Sequence, residues 1–411
     1  MYLFHIFRSF VPLRNPLGFG VSDLLEWGLA VLACVLIFGH AWMGSWISRF
    51  ARRTVPCMLA LFVLPVGLRL ALLPRAPMPV ATTPTEFSSL LLSDTLLHGR
   101  MANPVHPWHQ FFESPLVVQT PTYRSTLPIG EGLLLAVGRA LLGSDWAGIL
   151  LGIGALAALS YWMLRAWVTP GWALSGGVLV ACAFGPLCRW TNSYWGGFIT
   201  ALGGCLIVGA LPRLQQNRRL RDVVVLSAGI VIELLAYAAV FCVLAPLFVL
   251  GCILVLRRLK QFRATLAFVV SLIYAGHFLF WYGIHALADE RAMIAVLPNG
   301  GRDFLNSADA QIHRAVSKEL NREKGKQLVF VRRGPFPVSG EWIHNSADID
   351  GSKVVWARDL GEDKNRLLLN YYRGRKAWLM EPDAIPPRFG TYSAGNRTEE
   401  NVPKKLLNAA H

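Results

Sequence analysis

Charge is what this chain has least of. Asp, Glu, Lys and Arg make up 16% of its 411 residues, where soluble domains carry about 25%. A soluble protein of this length would need several domains, all short of surface charge. Hydrophobic residues reach 54% and mean hydropathy is +0.41, which excludes disorder, and the absence of any period excludes a fibrous repeat. Acid is the scarcer sign, with 25 Asp and Glu against 40 Lys and Arg, a formal net charge of +15. Much of the basic excess lies in short clusters beside apolar runs, such as Arg218-Arg219-Leu220-Arg221 and Arg257-Arg258-Leu259-Lys260. Such clusters hold cytoplasmic loops in place. Nucleic acid is not indicated as a partner, because no basic stripe is interleaved with aromatics on a soluble domain.

Cysteine is also sparse and confined. All seven (Cys34, Cys57, Cys182, Cys188, Cys205, Cys242, Cys252) lie in or beside apolar runs. No CxxC pair or Cys/His metal spacing occurs, so neither a disulfide framework nor a zinc site is read. The tail has no Gly-rich phosphate loop, and Asp350-Gly351 is a turn signal only. Met1–Pro16 is aromatic and mixed, without the short apolar core of a cleavable signal peptide.

What is present is a series of apolar runs. A spanning helix needs about 20 mostly apolar residues, and eight stretches approach this: 24–46, 55–73, 146–167, 171–188, 197–212, 223–238, 239–256 and 264–286. The chain reads as a polytopic α-helical membrane protein whose bilayer is its first partner. Placing the basic loops 213–222 and 257–263 in the cytoplasm puts residues 74–145, Arg189–Gly196 and 287–411 outside. Four segments follow: spans in 1–73, an outer loop over 74–145, a membrane core over 146–286 and a tail over 287–411. Pro128–Gly143 is too short to span and reads as an amphipathic helix at the interface. In the tail, Gln311–Arg322 reads as a polar helix. Gln327–Arg332, Lys353–Ala357, Glu362–Tyr372 and Lys376–Met380 alternate as strand, strand, helix and strand, a small α/β unit.

Chemistry-bearing residues crowd the outer loop: Glu86, Asp94, His98, Arg100, His106, His109, Glu113, Tyr123, Arg124 and Glu131. An acid just past a span can serve as general base on a hydroxyl, and arginines near the bilayer surface can clamp a phosphate. Each is equally a residue type that a solvated loop carries. The three histidines match no compact ligand motif, so no metal or other cofactor is assigned. The stretch Arg189-Trp190-Thr191-Asn192-Ser193-Tyr194-Trp195-Gly196-Gly197 places aromatics beside glycines. These are either interfacial anchors or a stacking platform for a sugar. Glu233, inside an apolar run, is a functional candidate or an interior group with a hydrogen-bond partner.

The outer-loop segment TPTEFSSLLLSDTLLHGRMANPVHPWHQFFES, the stretch QTPTYRSTLPIGEG and the later RWTNSYWGG resemble bacterial membrane proteins of the GT-C glycosyltransferase superfamily. That group is related to the protein mannosyltransferases and aminoarabinose transferases. EWIHNSADIDGSKVVWARDL and KAWLMEPD are similar to its extracytoplasmic tail, and the matching pieces cover roughly residues 60–215 and 326–383. The resemblance implies a multi-pass protein of the bacterial inner membrane with its C-terminal domain outside. It implies transfer of a sugar from a polyprenyl-phosphate donor to an acceptor whose identity is open. By position Glu86 matches the second of the family's two catalytic acids, Thr85 stands where the first would be, and Asp94 is the alternative base. Arg100, Arg124 and Arg189 are then candidate contacts to the donor phosphate, and Tyr123, Tyr194 and Trp195 candidate contacts to sugar or lipid. The rival readings are a catalytically degenerate scaffold of the same fold and a transporter or lipid flippase.

Overall fold

The computed structural model describes residues 45–74, 77–185, 188–217, 219–236, 308–335, 340–384 and 386–392, together with Val35. Their elements run α1 (Ser45–Arg52), α2 (Thr54–Ala71), α3 (Pro84–Leu97), β1 (Val117–Val118), β2 (Arg124–Ser125), α4 (Ile129–Leu142), α5 (Asp145–Leu164), α6 (Pro170–Phe184), α7 (Phe198–Asn217), α8 (Leu220–Ala236), α9 (Ala308–Arg322), β3 (Gln327–Val331), β4 (Val354–Arg358), α10 (Glu362–Tyr371), β5 (Lys376–Glu381) and β6 (Arg388–Thr391). The protein is mostly helical, with a small sheet region. It divides into two compact units, one from Met1–Pro77, Leu150–Asn192 and Gly197–Phe304, the other from Met78–Ile149, Ser193–Gly196 and Leu305–His411. The outer loop and the tail, separate segments in the sequence reading, thus share the second unit.

Among the described residues, three helices are long and apolar enough to cross a membrane: Thr54–Ala71, Asp145–Leu164 and Phe198–Gln216. Helix α6 is apolar but only 15 residues long, and α8 carries Arg221, Asp222 and Glu233 in its 17 residues. The spans expected at 239–256 and 264–286, and nearly all of 24–46, lie outside the described residues. In the first unit α2 buries Cys57, Leu61, Pro65 and Arg69 and leaves Val55, Leu59 and Val63 exposed. Spacings of four residues place these three on one side of the helix, the side a lipid phase would cover. Close crossings hold the helices. A Cβ added to Gly229 of α8 would stand 2.9 Å from the carbonyl oxygen of Gly203 in α7, the small-residue contact favoured between membrane helices. Glu233 sits at this crossing, its Oε1 2.9 Å from where a Cβ on Gly203 would be. Fully buried Arg69 is satisfied too, donating to Asn192 Oδ1 at 2.6 Å and the Pro77 carbonyl at 3.0 Å.

The second unit is built on a four-stranded sheet in the order β4-β3-β5-β6. Strands β3, β4 and β5 are parallel, and β6 returns antiparallel to β5. β3 is buried at every residue, as a central strand covered on both faces must be. Alternate residues serve opposite faces. Val329 and Val331 pack with Trp356, Trp378 and Met380 under Ile312, Val316 and Leu320 of α9. Leu328 and Phe330 pack with Leu368, Tyr372, Phe111, Phe112 and Leu91 on the other side. Loop residues of the 98–125 region therefore complete the core of the tail, and α3 reaches the same cluster.

Candidate functional site

Helix α3 starts where its sequence says it should. Thr83 is the N-cap, Pro84 opens the first turn, and Glu86 three residues on completes a capping box. Glu86 Oε2 accepts from the backbone N–H groups of Thr82 and Thr83 and from Thr83 Oγ1, at 3.1, 3.1 and 2.9 Å. Its Oε1 accepts the backbone N–H of Tyr194 at 3.1 Å. A carboxylate offers about four lone-pair sites, and here four donors already address it. Glu86 is a structural tie between α3 and the Ser193–Gly196 segment.

One helix turn beyond the middle of α3, Asp94 faces a cleft of about 760 Å³ lined by Phe87, Arg139, Asp145, Tyr194, His313, His344 and Lys353 among others. Asp94 Oδ1 accepts from Arg139 at 3.1 Å and its Oδ2 from the backbone N–H of Ala347 at 2.8 Å. Arg139, on α4, also faces Asp145 Oδ2 at 3.9 Å. Asp145 begins α5, and its Oδ1 accepts from Ser93 at 2.6 Å. One cation thus stands between two carboxylates, and among the described residues the outer oxygen of Asp145 has only that long contact. Tyr194 donates to the Pro79 carbonyl at 3.2 Å. Burial, then the charges of Asp145 and Glu86, push its phenol above the ordinary value.

An aromatic stack also lines the cleft. The Phe87 and His344 rings are parallel with centroids 4.1 Å apart, and His344 stacks on Trp356 at 4.9 Å. His313 lies 3.6 Å from Trp342 in the same manner. Burial pulls His313 down to about 3, assisted by repulsion from His344, and burial pulls His344 down to about 4. Both rings are neutral at physiological pH. The cleft therefore combines an uncharged aromatic surface with the charged side chains of Asp94, Arg139 and Asp145.

A second, smaller pocket of about 340 Å³ is lined by His98, Arg100, His106, Tyr123, Asp348 and Asp350 among others. The Trp108 backbone N–H donates to His106 Nδ1 at 3.0 Å, so the ring proton sits on Nε2 and points to Asp350 Oδ1 at 3.1 Å. Tyr371 and Tyr372 also donate to this carboxylate. Burial alone would raise Asp350, but the tyrosine and histidine donors hold it below the usual carboxylate range. Tyr123 is spent here structurally, donating to the Asn345 carbonyl at 3.0 Å. Among the described residues, no group of three or more His, Cys, Asp or Glu is arranged to hold a metal ion.

The structure brings Asp94 and Tyr194 to one cleft and ties Glu86 to the backbone of Tyr194. Arg100 and Tyr123 belong to the smaller pocket. Arg124 is exposed on β2, and Trp195 is half-buried beside Ser193, whose Oγ accepts its N–H at 3.4 Å. Arg189 belongs to the other unit. Sequence reading missed Asp145, Arg139, His313 and His344 as site residues. No family model, curated protein or solved structure matches the chain.

Proposed function

We propose that the chain is a multi-pass glycosyltransferase of the bacterial inner membrane, using a polyprenyl-phosphate sugar at the extracytoplasmic face. The single observation that carries this reading is the pairing, in one cleft, of an Asp94–Arg139–Asp145 charged wall with an aromatic wall of Phe87, His344 and Trp356. Pockets that take polar organic ligands combine apolar and aromatic surface with a few placed polar groups, and a sugar has both kinds of face. The basic loops favour the outer side for the second unit, the side where lipid-linked donors replace nucleotide sugars. A GT-C-like core of about eight spans belongs to this proposal.

In the reaction an acceptor hydroxyl attacks the anomeric carbon, its proton passes to a carboxylate, and the bond from that carbon to the phosphate oxygen breaks. Asp145 is the better base, because its Oδ2 has the fewest partners. Asp94 holds Arg139, whose half-exposed guanidinium has donors left for the departing phosphate. The test is transfer from a polyprenyl-phosphate hexose or pentose by the full chain in proteoliposomes. Asp145→Asn is expected to reduce turnover by a factor of about 10² to 10⁴, the usual contribution of a general base. Unchanged turnover in Asp145→Asn and Asp94→Asn alike removes the enzyme reading of this cleft. One observation favours a second reading, a degenerate scaffold: Glu86, which matches the family's acid by position, is used as a helix cap. An inactive wild type in the same assay selects it.

A further inference from the structure

One end of the helical unit gathers more cationic charge than it neutralises. Tyr161 near the end of α5 donates to the Ala51 carbonyl at 2.8 Å. Arg213 near the end of α7 donates to the Trp162 carbonyl at 2.7 Å and lies 4.0 Å over the Trp162 ring. The end of α1, which leads into α2, and the ends of α5 and α7 therefore meet, and α8 begins three residues after α7. Among the described residues, Arg165, Arg213 and Arg221 come together there with one acid, Asp222, and Arg213 is within electrostatic range of the other three. Arg52 and Arg53 flank the start of α2 at the same end.

The compensation is incomplete. Asp222 is 2% exposed, its nearest cationic contact is Arg221 Nε at 3.7 Å, and its Oδ2 has no hydrogen-bond partner among the described residues. Arg165 Nε is buried without an acceptor among the described residues. One carboxylate faces three guanidiniums, none of which it meets at hydrogen-bond distance. Arg221 presents a side chain that is 66% exposed. Basic pockets between the ends of membrane helices recruit phosphate headgroups, and guanidinium donors match phosphate oxygens in geometry.

We propose that Arg165, Arg213 and Arg221 form a binding site for the phosphodiester headgroup of an anionic phospholipid, with Arg213 fixed by the Gly209 and Trp162 carbonyls and Asp222 offsetting part of the charge. This site is independent of the cleft and of its chemistry. It uses residues of the first unit, none of which lines the cleft.

The experiment measures phosphatidylglycerol retained per chain after the full protein is exchanged from mixed phosphatidylglycerol and phosphatidylcholine into detergent. Arg165→Gln and Arg221→Gln are each expected to weaken retention about fivefold, the usual effect of one arginine near anionic lipid. Arg366→Gln, on exposed α10, is expected to change nothing. Equal retention in the double variant overturns the proposal, and so does an equal loss in Arg366→Gln, which would mean unspecific charge. Thermal unfolding in pure phosphatidylcholine checks folding. If Arg165→Gln fails there, exposed Arg221→Gln decides alone. Inorganic phosphate is added as a competitor: full displacement at millimolar concentration would show a free-phosphate site and overturn the lipid assignment.

Discussion

Glu86 Oε1 receives the backbone N–H of Tyr194 at 3.1 Å, joining positions 108 residues apart. The same carboxylate closes the capping box of α3. A glutamine at this position retains one acceptor oxygen but turns the other into a donor, facing up to three N–H and O–H groups. Glu86→Gln should therefore lower stability by about 1–3 kcal/mol, the cost of leaving buried donors unmade, as read from thermal unfolding of the full chain. Thr83→Ala should cost about 1 kcal/mol as a lost cap and leave transfer intact. A stable but inactive Glu86→Gln would restore Glu86 as the base.

The capping box is written in the sequence as Thr83-Pro84-Thr85-Glu86, a pattern that suits a helix start and a catalytic acid equally well, and only the packing distinguishes the two. Three of the eight expected spans, those at 55–73, 146–167 and 197–212, were legible as helices long and apolar enough to cross a membrane, because an apolar run of the right length has few alternatives. The tail strands were legible as short apolar runs between turn residues. β6 was missed because Arg388-Phe389-Gly390-Thr391 is short and half polar, and pairing with β5 supplies the order its own composition does not. The cleft was illegible for a different reason. Asp94, Arg139, Asp145, His313 and His344 come from five separate stretches, and only the packing of the outer loop against the tail within one unit makes them neighbours.

The two buried histidines set an acid limit. An unfolded chain protonates histidine below about pH 6.5, whereas the folded protein resists to about 4 at His344 and about 3 at His313. Because the folded values are depressed, their contribution is complete above pH 6.5 and is lost as pH falls toward 4. Each should add a slope of up to roughly 1.4 kcal/mol per pH unit. His344→Phe keeps a stacking ring and removes one titration, so it should flatten the loss of stability between pH 6.5 and 4. An unchanged slope would mean that other groups govern acid unfolding.

Glu131 acts in the opposite direction. It is buried on α4, accepts from Ser89 at 3.2 Å, and burial pushes it up to about 7 despite that hydrogen bond. The folded state then holds a proton that the unfolded state releases near pH 4.5, so stability falls as pH rises from 4.5 through 7. Glu131→Gln mimics the protonated form. It should be more stable than wild type at pH 8 and about equal at pH 4.5, as measured by denaturant midpoint. A variant destabilised at both pH values would show that the ionised form has partners the packing of α3 on α4 does not supply.

Helices α4 and α5 approach backbone to backbone, and this crossing sets the distance between Arg139 and Asp145. A Cβ on Gly138 would run into the backbone nitrogen of Gly148, and one on Gly148 into the carbonyl of Leu134. Neither obstacle is a flexible side chain, so the helices must separate to admit a methyl group. Overpacking of this kind costs about 1–3 kcal/mol. The larger consequence is geometric, because Arg139 neighbours Gly138 and Asp145 lies less than one turn before Gly148. Gly138→Ala and Gly148→Ala should each widen the 3.9 Å separation of Arg139 and Asp145 and lower transfer more than they lower the unfolding temperature. Gly67→Ala on α2, where a Cβ meets nothing within 4 Å, should leave both unchanged. If the two crossing variants transfer sugar at the wild-type rate while losing stability, Asp145 does not depend on Arg139 for its position, and the charged wall is not the reacting part of the cleft.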